Sequence, residues 1–225
     1  MSELYLVRHA QASFGSEDYD KLSATGHTQS RLLGEYFKAR DIRFDKVITG
    51  DMLRHKETAQ GIYAHTEHGS EPGSFVTDKG WNEFDFNAVI SAYLEAHPEH
   101  RPVENAPRSD WYRVLKSAML AWSNKRITTS NEAWLDFEER VKSAAQRVYQ
   151  DKSKRILVVS SGGAIAVCLM QILGINIQKA VDFNLQIKNT SIHHVYFNEN
   201  SQQLSSFNNV PHLDIPEYLH LVTYS

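Results

Sequence analysis

Three short runs of apolar and β-branched residues, separated by longer segments of helical periodicity, limit the folds open to this chain. The runs cover residues 4–7, 46–49 and 155–160, and each is typical of a strand buried on both faces. Residues 191–197 alternate more and predict a strand nearer an edge, and residues 204–207 are a weaker candidate. Strands that alternate with helices predict an α/β fold, a three-layer sandwich whose largely parallel sheet has helices on both faces.

Helical periodicity is clearest in four segments, at residues 25–40, 51–65, 132–150 and 164–173. The first has its apolar residues on one face, the second follows the second predicted strand at once, and the third is long, charged and amphipathic. The last is nearly all apolar and is expected to be buried, and Gly174 is typical of its carboxyl cap.

Residues 82–130 break this rhythm with three prolines and contain two further helical patterns, at 87–95 and 110–122. We predict that this stretch is a helical insertion over the mouth of a pocket, where it acts as a cap. The whole chain, residues 1–225, is then a single domain.

Side chains in and beside this insertion are expected to have structural roles rather than to bind substrate. The aromatic residues Trp81, Phe84 and Phe86 are expected to pack within the insertion. Arg108 is expected on a solvated face.

Composition excludes several classes of protein. The 225 residues carry a net charge of −3, which gives no reason to expect nucleic acid or an anionic membrane as a partner. The single cysteine, Cys168, cannot form an internal disulfide and lies in an apolar run, which indicates an inert buried thiol. No segment approaches the roughly 18 apolar residues of a membrane span, and the amino terminus lacks a signal-peptide pattern. We therefore expect a cytoplasmic location.

Arg8 and His9 stand together at the carboxyl end of the first predicted strand, where α/β folds place ligands. A histidine that attacks phosphorus needs an arginine close by, because the phosphoryl oxygens carry charge throughout the transfer. Arg54 lies just inside the helix that follows the second strand. It adds a second cation near the same sheet edge, where helix amino-terminal amides also favour phosphate.

Two further segments suit the same chemistry. Glu83 lies among aromatic residues, and apolar neighbours raise a carboxyl pKa, as a general acid requires. The predicted strand ending at Ser160 turns through Gly162 and Gly163 into a helix, where exposed amides can cradle an oxyanion. Ser161 and Gly162 are accordingly predicted to bind phosphate, together with Arg8 and Arg54.

In number and order, these motifs resemble those of the histidine phosphatase superfamily, whose fold is shared by cofactor-dependent phosphoglycerate mutases and many phosphomonoesterases. The resemblance covers most of the chain. The family's Arg-His-Gly motif appears as Arg8-His9-Ala10, and its acid-bearing motif appears around Glu83. Its other matching stretches are at residues 22–29, 54–59 and 189–191.

The resemblance implies phosphomonoester hydrolysis in two steps. His9 attacks phosphorus and becomes phosphohistidine, while Arg8 and Arg54 hold the phosphoryl oxygens. Glu83 protonates the leaving oxygen and then takes a proton from the incoming water. No metal and no cofactor are implied, because the arginines supply the positive charge. The partner is a small phosphorylated substrate or inorganic phosphate.

Three positions depart from the family pattern. Ala10 replaces a glycine, and Gly15 stands where many members carry a phosphate-contacting asparagine. Ser161 stands where the family usually has a second catalytic histidine; its hydroxyl can donate a hydrogen bond but carries no charge. This exchange is expected to weaken transition-state binding about tenfold. His55 adjoins Arg54 but is expected to point about 100° away, so it is not predicted to substitute.

Two other functions stay open at this stage. One is phosphoryl transfer of the phosphoglycerate mutase type, which needs extra cations for a second acidic group. The other is a degenerate protein that binds a phosphorylated ligand without turnover, an interpretation that Ser161 favours. The physiological substrate and the oligomeric state are also open.

Overall fold

The computed structural model describes residues 1–13, 20–66 and 75–224. The strands at its centre are β1 (Ser2–Arg8), β2 (Lys46–Thr49), β3 (Val76–Thr77), β4 (Arg155–Ser160), β5 (Ile192–Phe197) and β6 (Gln202–Asn209). They form one sheet in the order β3-β2-β4-β1-β5-β6. The first four neighbours in this order run parallel, and β5 and β6 are added antiparallel at one side.

Seven α-helices surround the sheet in the described part of the chain. They are α1 (Ala24–Ala39), α2 (Leu53–Tyr63), α3 (Phe86–Ala96), α4 (Arg108–Ser123), α5 (Trp134–Tyr149), α6 (Gly162–Leu173) and α7 (Ile177–Asn184). All six helical segments expected from periodicity are present. Helix α7 and the two-residue strand β3 are present but were not predicted from the sequence.

The two faces of the sheet bury separate groups of apolar side chains, as alternation along a strand requires. In β1, Leu4 and Leu6 belong to a large core shared with α3 to α7. Tyr5 and Val7 point the other way, into a smaller core with α1 and α2. The predicted three-layer α/β fold, with a largely parallel sheet and helices on both faces, is therefore confirmed.

Helix α6 is buried from Gly162 to Met170, as its apolar sequence predicts. It ends at Gly174, whose φ of 61° is the left-handed conformation that glycine adopts most readily. Burial raises the pKa of the Cys168 thiol on this helix to about 12, so the thiol stays protonated. No helix in the described ranges is long and apolar enough to cross a membrane.

The two helices of the predicted insertion, α3 and α4, share the large core with α5. The Phe84 ring lies 5.3 Å from that of Trp122, and the Trp122 ring lies 5.9 Å from that of Phe137 in α5. This packing attaches the insertion to the layer that covers the sheet. Whether the insertion acts as a cap depends on whether its helices border the pocket.

Candidate active site

The site begins where β1 and β4 end side by side. Arg8 is in register with Ser160, and the His9 amide donates to the Ser160 carbonyl at 2.8 Å. The residues that follow, His9 and Ser161, therefore emerge together at the carboxyl edge of the sheet. Strand β2 lies on the other side of β4, so the first turn of α2, which holds Arg54, reaches the same edge.

His9 has the tautomer that a nucleophile needs. Its Nδ1 lies 2.7 Å from the carbonyl oxygen of Ala10, and because a carbonyl can only accept, Nδ1 carries the proton. The other nitrogen, Nε2, keeps its lone pair and accepts from Arg54 Nε at 3.3 Å. Burial and the positive charges of Arg54 and Arg8 hold the pKa of His9 well below its usual range. The imidazole is therefore neutral near pH 7.

Arg54 is buried and held on two sides. Its Nη1 donates to Asp20 Oδ1 at 2.7 Å, and Asp20 Oδ2 also accepts from the Leu53 amide at the start of α2. Thr58 accepts from the Ala10 amide at 2.9 Å and donates to the Arg54 carbonyl at 2.6 Å. These bonds fix the first turn of α2 against the chain that follows His9.

Arg8 is held by the carboxyl-terminal part of the chain. Its Nη1 donates to the carbonyl of Ile187 and, at 3.0 Å, to that of Tyr224. Gly162 lies beside the guanidinium, since a Cβ added there would stand 3.7 Å from Arg8 Cζ. The amino terminus of α6 and the guanidinium therefore lie side by side.

Glu83 reaches this space from the loop before α3. Its Oε2 accepts from the Gly163 amide at 3.1 Å, and a Cβ at Gly163 would lie only 2.2 Å from Oε1. Arg140 of α5 fixes the loop by donating to the carbonyls of Asn82 and Gly80 at 2.8 and 3.1 Å. Burial raises the pKa of Glu83, against the opposing effects of the Gly163 amide, Arg54 and Arg8. A carboxyl group in this state suits proton donation.

Ser161 and His55 form a hydrogen-bonded pair that sequence analysis did not predict. The Ser161 hydroxyl lies 2.6 Å from His55 Nε2, and the His55 ring centroid is 5.6 Å from that of His9. The expectation that His55 points away from the site was wrong. The first turn of α2 lies at the sheet edge beside the site, so Arg54 and His55, about 100° apart on that turn, both reach site residues.

A glycine allows this arrangement. A Cβ at Gly50 would stand 2.2 Å from His55 Nδ1, so the imidazole occupies space that only glycine leaves. The usable signal in the sequence was the exchange at Ser161 itself, combined with a histidine directly after the second arginine.

A cavity of about 710 Å³ opens beside these groups. Arg8, His9, Arg54 and Glu83 line one end of it. The rest of the lining consists of Phe84, Phe86, Asn87, Ile90, Ala106, Arg108, Trp111, Tyr112, Leu115, Asn184, Leu185 and Tyr224. Ser161 is fully buried behind this surface, and Gly15 lies outside the described residues.

The lining corrects two expectations about the insertion. Phe84 and Phe86 do not only pack within it, and Arg108 does not only face solvent, because all three border the cavity. Helices α3 and α4 thus supply one wall of the pocket. Elsewhere, and only within the described ranges, His97, Glu99 and His100 form a surface group with the spacing of metal ligands. None of these three lines the cavity.

The chain is similar in sequence to a known protein family and to two proteins named as phosphatases. A family model of the histidine phosphatase superfamily (branch 1) matches residues 4–210. A Hydrogenobacter thermophilus protein named "Putative phosphoserine phosphatase 2" is 26% identical over 226 residues, covering 94% of this chain and 98% of that protein. A broad-specificity phosphatase of Saccharomyces cerevisiae is 30% identical over 81 residues, so the match spans 33% of this chain and 35% of the yeast protein.

Among solved structures, a phosphoglycerate mutase from Bacillus anthracis superposes with a TM-score of 0.66 at 19% identity, covering 94% of both chains. At this identity the likeness shows the fold alone. The family match, by contrast, extends from β1 to the end of β6 and includes every stretch on which the resemblance rested. The chain therefore belongs to the histidine phosphatase superfamily, branch 1.

Proposed function

We propose that this protein hydrolyses phosphomonoesters through a phosphohistidine on His9. One observation carries the proposal: a neutral imidazole presents its lone-pair nitrogen to a cavity that also holds two arginines and a carboxyl group of raised pKa. Nucleophile, charge stabilisation and proton donor are thereby together in one place. The named relatives that are phosphatases support the same reaction class.

In the first step, His9 Nε2 attacks phosphorus and the bond from phosphorus to the alcohol oxygen breaks. The Glu83 proton moves to that oxygen, and the alcohol leaves. Arg54 Nε, which donates to His9 Nε2, transfers its hydrogen bond to a phosphoryl oxygen, while Arg8 holds another. In the second step, the Glu83 carboxylate takes a proton from water, the water oxygen attacks phosphorus, and the phosphorus–nitrogen bond breaks.

The cavity wall indicates what kind of alcohol is bound. Most of the side chains supplied by α3 and α4 are apolar or aromatic, including Ile90, Trp111 and Leu115. Apart from Arg8 and Arg54, Arg108 is the one cation among the described lining residues. We infer a phosphomonoester with a bulky apolar or aromatic alcohol part, whose burial stabilises the complex by about 25 cal/mol per Å².

The same lining favours hydrolysis over the mutase reaction. A mutase substrate carries a second acidic group and a bisphosphorylated intermediate, which need several cationic contacts. The fold shared with a mutase does not supply them. Assay of 2- and 3-phosphoglycerate interconversion, with and without bisphosphoglycerate, is expected to give no mutase turnover while p-nitrophenyl phosphate is hydrolysed.

The decisive test compares His9→Ala with His65→Ala, a matched control in the turn that follows α2. His65 is bonded to the carbonyl of Gly61 in the last turn of α2, and it does not line the cavity. With p-nitrophenyl phosphate, His9→Ala is expected to retain less than about one thousandth of wild-type kcat, and His65→Ala nearly all of it. Intact mass spectrometry after alkaline quenching is expected to show one phosphoryl group on wild type and none on His9→Ala. Unchanged hydrolysis by His9→Ala would falsify the proposal.

Substrate preference is tested with two phosphates of primary alcohols, 2-phenylethyl phosphate and phosphoserine. The apolar ester is expected to have a kcat/KM at least about tenfold higher, because its ring enters the apolar wall. Equal values, or a preference for phosphoserine, would contradict the inferred alcohol class while leaving the hydrolytic mechanism intact.

A further inference from the structure

The turn that follows α3 brings two imidazoles and a carboxylate together on the surface. One ligand atom from each of His97, Glu99 and His100 lies within 4.8 Å of the other two. Glu99 Oε1 is 3.4 Å from His97 Nδ1 and 3.8 Å from His100 Nε2. Among the described residues, this is the one group of three or more such side chains close enough to share a metal ion. It lies outside the cavity lining, so it has no part in the steps proposed for hydrolysis.

The distances between these atoms fit the coordination sphere of a transition metal ion. Zn²⁺ binds histidine nitrogen and carboxylate oxygen at about 2.0–2.2 Å, so neighbouring ligands of a tetrahedral site are about 3.4 Å apart. Glu99 and His97 already have this separation, and Glu99 and His100 need to approach by only about 0.4 Å. The two imidazoles, no more than 4.8 Å apart, can close the rest by rotation, because both side chains are about half exposed.

Tyr93 anchors the ring of His100 from behind. The Tyr93 hydroxyl lies 2.6 Å from His100 Nδ1, and the Tyr93 side chain is buried in the large core. When Nε2 binds an ion, Nδ1 carries the proton and donates it to the Tyr93 oxygen. A hydrogen bond from the second ring nitrogen is the contact that orients most metal-bound histidines. The group therefore has an outer contact, in addition to its three ligand atoms.

The backbone holds the three side chains in one ordered turn. The His97 amide donates to the Tyr93 carbonyl at 2.9 Å, and the His100 amide donates to the His97 carbonyl at 3.1 Å. Pro98 begins the 3₁₀ turn Pro98–His100, and its ring fixes its own φ. Because the turn is already hydrogen-bonded, binding an ion costs less conformational entropy than it would in a flexible loop.

We propose that His97, Glu99 and His100 form a surface site for a divalent transition metal ion of the Zn²⁺ type. Two imidazole ligands favour Zn²⁺ over Mg²⁺ and Ca²⁺, which prefer oxygen. Three protein ligands leave a fourth position to water, because the group is on the surface. The ion links the end of α3, where His97 is the C-cap, to the 3₁₀ turn on the way to α4. It is a structural ligand of the insertion rather than a participant in the reaction.

Isothermal titration calorimetry of the untagged full chain with ZnCl₂ tests the site. Wild type is expected to bind one Zn²⁺ with a Kd of about 10 µM or lower, and to give no measurable binding with MgCl₂. Glu99→Gln and His100→Ala, at exposed positions, are each expected to raise the Kd at least about 100-fold by removing a ligand. Tyr93→Phe keeps all three ligands and is expected to raise it about tenfold. His220→Ala, at an exposed histidine outside the group, is the control and is expected to bind as wild type does.

The outcomes separate a built site from casual binding to surface histidines. A wild-type Kd above about 100 µM overturns the proposal, as does wild-type affinity in Glu99→Gln or His100→Ala. Equal losses in His220→Ala and His100→Ala also overturn it, because the ion is then bound by scattered imidazoles. Wild-type affinity in Tyr93→Phe overturns it as well, since the outer contact then contributes nothing. Each readout is a metal affinity, so these results do not depend on whether His9→Ala loses hydrolytic activity.

Discussion

The two ends of the cavity are built in opposite ways. At the phosphate end, each of three side chains is fixed by a hydrogen bond: Arg8 to the Tyr224 carbonyl, His9 to the Ala10 carbonyl and Arg54 to the Asp20 carboxylate. At the alcohol end, α3 and α4 present mainly apolar side chains whose contacts are non-directional. Directional bonds fix the chemistry, whereas an apolar wall can change its occupant by repacking. The difference suggests that substrate choice is separable from catalysis.

The largest effect that tests this separation is expected from Glu83→Gln. With 2-phenylethyl phosphate, kcat/KM is expected to fall by about 10² to 10³, because an alkoxide leaves poorly without a proton. With p-nitrophenyl phosphate the loss is expected to be much smaller, since nitrophenolate leaves unprotonated. In wild type, kcat/KM for the alkyl ester falls as pH rises through the raised pKa of Glu83, where the proton donor is lost.

Asp85→Asn provides the matched control for Glu83→Gln. Asp85 lies two residues further on, but it caps α3 by accepting from the Ala88 amide at 2.9 Å. Asparagine preserves that cap, so both esters are expected to retain wild-type kcat/KM. If instead Asp85→Asn lowers kcat/KM more for the alkyl ester than for p-nitrophenyl phosphate, and Glu83→Gln does not, the general acid is Asp85 and not Glu83.

The second prediction concerns a variant in which the imidazole at the phosphate end is moved from position 55 to position 161. Because His55→Ala leaves space next to position 161, the double variant His55→Ala/Ser161→His can place a histidine ring there from the N-cap of α6 rather than from α2. We expect its kcat for p-nitrophenyl phosphate to exceed that of His55→Ala by about tenfold. The reason is that the introduced imidazole can donate a hydrogen bond to the charged phosphoryl group, and His55→Ala has no imidazole there to do so. Activity no higher than in His55→Ala would show that the site depends on the helix from which the ring comes.

The two ends also differ in how much of each could be predicted from the sequence. His9 and Arg54 could be placed because a strand end and the first turn of the next helix are local features. Helix α7 was also within reach, since Asn176 caps it with a hydrogen bond to the Lys179 amide. His55 could not be placed, because its position depends on how α2 sits against β4. The cavity wall likewise depends on how α3 and α4 pack, which no local pattern encodes.

The third prediction uses pH to test whether His55 is buried in its neutral form. Its pKa is lowered in the folded state, so below about pH 6.5 the unfolded chain binds the additional proton and stability falls as pH falls. Removing that group in His55→Gln is expected to reduce the slope of unfolding free energy against pH by up to about 1.4 kcal/mol per pH unit. Guanidinium titrations between about pH 5 and 7 measure both slopes. Parallel slopes for the two proteins would mean that folded His55 is already charged.

The smallest effect is expected at the alcohol end. Trp111 lines the cavity from α4 and is 39% exposed, so Trp111→Ala should change stability little. Its kcat/KM for 2-phenylethyl phosphate is expected to fall about three- to tenfold, because the ester loses apolar contact, while that for phosphoserine stays near wild type. Leu135→Ala is the control, since this α5 side chain is 54% exposed and outside the lining. Equal losses for both esters would mean that Trp111 supports the phosphate end as well, and that the two ends cannot be varied independently.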